Sequence, residues 1–249
     1  TSLTPGVDLR PAGRWPPQHK AENIGLRTVG ASHARPMPRP PRTLPADQPV
    51  HVVQRGNNRS SCFPSDQERA LFVSLLVRYS WEASTRVHAY ALMTNHVHLL
   101  LTPTTPDGTS TLMQRLGQAY SRSFNHRHGR TGTLWEGRFR ASPVTSDDYV
   151  LECHRYIELN PVRAGIVARP EQYRWSSHRA NIGIEPKCWL TAHPTVAALG
   201  TTNVTAATCY RNLFDLPLDE VILAALRTGI HGSSTVGPPP VSDTCLTRA

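Results

Sequence analysis

The sequence predicts an α+β domain with an antiparallel sheet. Three observations predict it. Residues 49–55, 86–92 and 96–102 alternate apolar and polar with the period of 2 that a strand imposes. Residues 67–82 and 109–128 space their apolar side chains at helical intervals instead. Only Met93, Thr94 and Asn95 separate the second and third strands, and so short a link makes a hairpin.

In chain order, Pro49–Arg55 is the first strand, and Gly56-Asn57-Asn58-Arg59 is a turn by composition. Asp66 can cap the first helix, with Ala70, Leu71, Val73, Leu75, Leu76 and Val77 as its buried face. The hairpin follows. In its second strand Val97, Leu99 and Leu101 share one face, and His96, His98 and Leu100 share the other. Thr109 or Ser110 opens a second helix running to about His128, with Leu112, Met113, Leu116, Ala119 and Tyr120 inward. Gly132–Phe139 reads as a tight loop held by its aromatics. Ser146-Asp147-Asp148 starts a third helix, with a capping hydroxyl and acids at the positive end of the dipole. It is expected to run to about Asn160, where Pro161 stops it.

Both ends differ in composition. Residues 1–48 are rich in proline and arginine without an apolar period, so a disordered extension is expected. The compact protein is expected to start near Met37, with residues 1–36 an extension or a start-site artefact. Residues 49–183 form the expected catalytic domain and 184–228 a small helical region. Residues 229–249, rich in Gly, Ser, Pro and Thr, read as a disordered tail.

Net charge is +9 with pI near 9.8, so an anionic partner is expected, nucleic acid before membrane. All but two of the 27 basic residues are arginine, which genome composition can also produce. The five cysteines are scattered without a Cys-x-x-Cys pair, which argues against a zinc ribbon or a disulfide framework. No apolar run approaches the ~18 residues of a membrane span, and no hydrophobic signal region opens the sequence. A cytoplasmic protein without a membrane partner is expected, monomeric or homodimeric.

Two sets of residues carry chemistry. His96 and His98 project the same way from one strand, close enough to hold one metal ion with at least one further ligand. Taken alone, the pair also suits one exposed and one hydrogen-bonded histidine. Tyr156 and Asn160 lie four apart on a helix and share a face, a phenol beside an oxygen donor. Separately they read as a half-buried tyrosine and a helix C-cap. Around them Arg122, Arg127, Arg130, Arg138 and Arg140 interleave with Phe124, Trp135 and Phe139. Guanidinium groups take phosphates and rings stack bases, although a solvated helix with core aromatics would read the same. Tyr173–His178 forms a further basic-aromatic cluster.

The ordered set Gly56-Asn-Asn-Arg59, Leu92-Met-Thr-Asn-His-Val-His-Leu-Leu100, Gly132-Thr-Leu-Trp-Glu-Gly-Arg138, Tyr156-Ile-Glu-Leu-Asn-Pro-Val-Arg-Ala-Gly165 and Trp175-Ser-Ser177 resembles the single-tyrosine HUH transposases of insertion sequences, in particular the REP-associated tyrosine transposases. The resemblance covers residues 37–183, with a fainter echo to about 228. It implies the HUH endonuclease fold, an antiparallel sheet with helices packed in ferredoxin-like order. It maps the family's histidine pair onto His96 and His98, its nucleophile onto Tyr156 and its metal-binding amide onto Asn160. It adds Arg55, Asn57, Asn58, Arg59 and Arg163 to the residues expected on DNA, beside Arg122, Arg127, Arg130, Trp135, Arg138 and Arg140.

The chemistry it implies is cleavage and rejoining of hairpin-containing single-stranded DNA through a 5′-phosphotyrosine link. A phenol is a poor nucleophile at its ordinary pKa of about 10. A divalent ion, Mg²⁺ or Mn²⁺, on His96, His98 and Asn160 would polarise the phosphate instead. The ester conserves the phosphodiester's energy, so no ATP is needed, consistent with the missing Walker loop. The competing classes are a non-catalytic nucleic-acid-binding protein and a metal-dependent nuclease that uses water and leaves no covalent adduct.

Overall fold

The computed structural model describes residues 44–218 and 220–231. The expectations for residues 1–43, the Met37 start and the tail beyond residue 231 lie outside them. The elements are β1 (Val50–Arg55), α1 (Asp66–Glu82), β2 (Thr85–Leu92), β3 (His96–Pro103), α2 (Gly108–Arg127), β4 (Arg140–Pro143), α3 (Asp147–Glu158), α4 (Asn160–Arg163), α5 (His178–Asn181), α6 (Pro194–Ala197), α7 (Asn203–Asn212) and α8 (Glu220–His231). The four strands form one antiparallel sheet in the order β2-β3-β1-β4, and the chain enters it as β-α-β-β-α-β, the ferredoxin-like arrangement. No described helix is long and apolar enough to cross a membrane.

Strand alternation divides the sheet into two chemically distinct faces. Val52, Val97, Leu99 and Leu101 point to the side covered by α1 and α2, where Phe63, Phe72, Leu76, Leu112, Leu116 and Tyr120 close the larger core. Val53, Ala89, Ala91 and Leu100 point to the other side, where Tyr149, Val150, Cys153, Tyr156 and Ile157 of α3 meet Leu223 and Leu226 of α8. A bulge in β2 between Val87 and Ala89 sets this second face. Beyond it Ala89 lies opposite Leu100 and Ala91 opposite His98, and two methyl side chains leave room for α3 to approach the sheet.

The local signals differ from the structure in instructive places. The first helix is capped by Ser65, whose hydroxyl accepts from the Gln67 amide, rather than by Asp66. Its buried stripe is Glu68, Phe72, Leu76 and Ser80, spaced by four, and Ala70 is exposed. Pro161 does not end the helical course. It occupies the first turn of α4, where its missing N–H costs nothing, and Arg163 and Ala164 donate back to Leu159 and Asn160 at 2.9 Å each. Strand β4 is only four residues long, includes Pro143 and sits at the sheet edge, the one place that tolerates a proline.

The segment Trp175-Ser176-Ser177 is structural. It runs along the outer edge of β2: the Leu92 amide donates to the Trp175 carbonyl at 2.9 Å and the Ser177 amide to the Tyr90 carbonyl at 3.0 Å. Tyr173 is buried and donates its hydroxyl to the Leu92 carbonyl, and the Trp175 indole N–H donates to Asp66 at 2.7 Å. In this basic-aromatic cluster the aromatics are committed to the β2 edge and α1.

From there the chain reaches Glu158, the last residue of α3, whose carboxylate is 0% exposed. It accepts four hydrogen bonds: from Ser177 at 2.5 Å, His178 Nδ1 at 2.8 Å, Asn181 Nδ2 at 2.8 Å and the Tyr210 hydroxyl at 2.9 Å. Burial pushes this carboxyl up, but the His178 hydrogen bond and charge, with His154 and Ser177, outweigh it and hold it below the usual value. Glu158→Ala should therefore strand four buried donors and cost about 3–5 kcal/mol, read as a lowered urea midpoint with unchanged slope. Tyr156→Phe, two residues away, should leave the midpoint nearly unmoved. Equal midpoints for the two variants would refute the assignment.

Candidate active site

His96 and His98 stand on the α3-covered face of β3, opposite Arg55 of β1 and Ala91 of β2 respectively. Their rings meet edge to face with centroids 4.9 Å apart. Tyr156 comes down from α3 onto His98, its ring centroid at 5.6 Å and 82° to the imidazole. The Arg163 guanidinium lies 4.9 Å from the centre of the Tyr156 ring. Asn160 sits one turn past Tyr156 and donates its Nδ2 to the Tyr156 carbonyl at 2.8 Å. That bond fixes the amide's orientation and leaves Oδ1 as the atom that could ligate. The two motifs, 60 residues apart in sequence by the difference of their numbers, thus converge on one face of the sheet.

The protonation of His96 can be read from its neighbour. Asn95 Nδ2 donates to the Arg59 carbonyl at 3.0 Å, so Asn95 Oδ1 is the atom that faces His96 Nδ1 at 2.7 Å. A carbonyl oxygen only accepts. His96 therefore carries its proton on Nδ1 and keeps a bare lone pair on Nε2, the arrangement a metal ligand needs. The Gly56–Arg59 turn presents that carbonyl. Asn58 and Arg59 take φ of 51° and 57°, and a Cβ on Gly56 would come within 2.4 Å of the Ser60 carbonyl oxygen.

Burial keeps the imidazoles neutral. It lowers His96 to about 4, with the Arg55 charge adding to it. Burial first, then the neighbouring His51, His96, Arg163 and Arg55, holds His98 well below the usual histidine range. Two bare or bareable imidazole nitrogens and one amide oxygen suit a divalent ion such as Mn²⁺ with open positions for substrate. Among the described residues no group of three or more His, Cys, Asp or Glu is arranged to hold a metal, so the amide oxygen is essential to such a set.

The residues expected on DNA separate into two groups. Arg55, Arg140 and Arg163 lie around the histidine face: Arg55 opposite His96, Arg140 opposite Val53, Arg163 over Tyr156. Arg138 lies beside Arg55 and Arg140 at the same sheet edge. Asn57, Asn58 and Arg59 border it, with Asn58 and Arg59 exposed. Arg122, Arg127 and Arg130 belong to α2 and the loop after it, on the opposite layer. Arg127 pairs with buried Glu68 at 3.2 Å, and Arg130 lies 5.6 Å over the Phe124 ring.

Trp135 is not a stacking platform. It is 8% exposed, packs on Tyr120 at 5.8 Å, and donates its indole N–H to the Gly117 carbonyl at 3.2 Å. Phe124 is likewise buried. Tyr120, the other tyrosine on an arginine-rich helix, is wholly buried with its hydroxyl on the Cys62 carbonyl at 2.6 Å, which excludes it as a nucleophile. Asn95, His51 and Glu158 were not singled out from the sequence. Asn95 is signalled only by its adjacency to His96, and Glu158 by nothing but its place between Tyr156 and Asn160.

The lowered pKa of His96 would move the acid limit of any metal binding at this pair. The sequence places that limit at the ordinary imidazole pKa of ~6.5; the structure places it near 4, because a depressed pKa preserves the lone pair as pH falls. Mn²⁺ affinity measured by calorimetry should stay level from neutral pH to about 5. Stability falls over the same range, since the unfolded chain takes up protons below ~6.5 and the folded one does not. Circular dichroism must therefore accompany each point. Loss of affinity centred near 6.5 in still-folded protein would overturn the assignment.

No curated protein matches the chain. Among solved structures, a REP-associated tyrosine transposase bound to a REP hairpin is 17% identical with a TM-score of 0.49, covering 64% of this chain and 96% of that one. A Deinococcus radiodurans R1 protein described as a candidate transposase is 21% identical with a TM-score of 0.35, covering 48% and 95%. A family model described as "Transposase IS200 like" matches residues 46–160, the stretch from just before β1 through Asn160. That segment of the chain is similar to the IS200-like transposases.

Proposed function

We propose that the protein cleaves and rejoins single-stranded DNA through a covalent link to Tyr156, with a divalent ion held by His96, His98 and Asn160. The observation that carries this reading is the meeting of the Tyr156 ring with His98 across the sheet-helix interface, beside the Arg163 guanidinium. A nuclease that activates water would have no use for a phenol in that position. A non-catalytic binding protein would have no use for two imidazoles kept neutral side by side.

The chain's own residues do most of the work. Arg55, Arg140 and Arg163 supply positive charge on the histidine face, which suits a phosphodiester rather than a neutral substrate. Tyr156, held by α3, attacks phosphorus in line with the departing 3′ oxygen. The Tyr156 O–P bond forms as the P–O3′ bond breaks; the phenol gives up its proton and the 3′ oxygen takes one up. The product is a 5′-phosphotyrosine and a free 3′-hydroxyl. Attack by another 3′-hydroxyl reverses the steps and joins strands, without a nucleotide cofactor. A divalent ion held by His96, His98 and Asn160 would polarise a non-bridging phosphate oxygen. Hairpin-containing single strands are the substrate that the motif resemblance implies, and Mg²⁺ or Mn²⁺ the ion.

The decisive experiment incubates 3′-end-labelled single-stranded hairpin DNA with the protein and Mn²⁺, then resolves it on a denaturing protein gel. Wild type should give a labelled protein band; Tyr156→Phe should bind the DNA with similar affinity and give none. Excess chelator should also abolish the band. Cleavage by Tyr156→Phe at the wild-type rate would favour the water-activating nuclease and refute the covalent reading.

A further inference from the structure

We propose that His51 is a positioning residue for His98, setting which of its nitrogens is left bare; the inference rests on the metal set read above. His51 lies on β1, on the same face as His98 and diagonal to it, since Leu100 is the residue directly opposite. It is 0% exposed. Its Nε2 lies 3.0 Å from His98 Nδ1, and the two rings stack with centroids 5.3 Å apart and 23° between planes. The same ring meets Tyr156 edge-on at 5.7 Å. His51 is thus the floor beneath both the ligand and the phenol.

The hydrogen bond between the two imidazoles holds one proton, and its owner decides the chemistry. If His98 Nδ1 carries it, His98 donates to His51 Nε2, and His98 Nε2 is bare and can ligate. If His51 Nε2 carries it, His98 Nδ1 accepts, and His98 Nε2 bears a proton that bars a metal. The two states have the same net charge. In the first, the second proton of the pair rests on His51 Nδ1; in the second it rests on His98 Nε2. His51 Nδ1 is buried without a partner among the described residues, so nothing else pins the pair in either state. A cation on His98 Nε2 selects the first. This differs from His96, where Asn95 can only accept and the choice is already made. His98 becomes a ligand when the shared proton passes from His51 Nε2 to His98 Nδ1, His98 Nε2 releases its proton to solvent and His51 Nδ1 takes one up from solvent, and His51 is what makes that rearrangement available.

The test replaces His51 with a residue that fills the space without accepting and with one that accepts. In full-length protein, His51→Leu should weaken Mn²⁺ binding about 10–100-fold. His51→Gln, whose amide oxygen can take the His98 Nδ1–H, should stay within about threefold of wild type. A purely packing role predicts equal losses in both, and that result overturns the proposal. So does unchanged affinity in a folded His51→Leu.

Should His51→Leu fail to fold, ¹⁵N-histidine spectra of wild type with and without Mg²⁺ decide the matter. Saturation should leave His51 protonated on Nδ1 and His98 on Nδ1; a His51 that keeps its proton on Nε2 overturns the proposal. The parent reading fails separately. Wild type that binds no Mn²⁺ removes the metal set and His51's role together. Binding that His96→Ala abolishes and His51→Leu leaves intact removes His51's role alone.

Discussion

The buried carboxylate of Glu158 is the constraint on which the site depends. A charge with no exposure is tolerable only when surrounded by donors, and here those donors come from the strap along β2, from α5 and from α7. An apolar cluster of Ile182, Val196 and Tyr210 with Leu151 of α3 brings the C-terminal helices to the same place. The carboxylate adds a directional polar tie between them, the strap and the end of the helix that carries Tyr156. The apolar stripe of α3 fixes its distance from the sheet, since Ala89 and Ala91 let it come close. Glu158 fixes what surrounds its end, and with it where Asn160 and Arg163 begin.

The two faces of the sheet divide labour in the way strand alternation demands. One face is a conventional aromatic and aliphatic core under α1 and α2, and it absorbs the rings of Trp135, Phe124 and Tyr120. The other carries three histidines and two tyrosines, Tyr149 and Tyr156, among small and medium apolar side chains. Burial there has a chemical use: it withdraws water from the imidazoles and keeps them unprotonated. The arginines that could receive phosphates close to this chemistry are those of β1, β4 and α4. Those of α2 belong to the other layer and serve partly structural ends, as the Arg127–Glu68 pair shows.

Much of this was legible in the sequence. Period-2 alternation assigned the His96–Thr102 strand its two faces, and a short turn gave the hairpin. The i, i+4 spacing of Tyr156 and Asn160 put phenol and amide on one helical course. What escaped reading did so for physical reasons. Strand β4 is too short to display a period, and it ends in a proline. Trp135 stands among arginines in sequence but turns inward, because a tight loop lets neighbours point in opposite directions. The aromatic-basic run at Tyr173–His178 hid a strap whose side chains are spent on Leu92, Asp66 and Glu158. Glu158 itself has the composition of a solvent-facing helix residue. Only its partners, 19 to 52 residues downstream, make it a core residue.

The turn at Gly56–Arg59 serves the site through its backbone. Its carbonyl at Arg59 orients Asn95, and Asn95 orients His96; no side chain of the turn takes part in that relay. Any Cβ at position 56 collides with the Ser60 carbonyl and must displace the turn. A mutational survey would consequently rank Gly56 with the site residues, and sensitivity at that position would report the shape of the main chain rather than a side-chain contact.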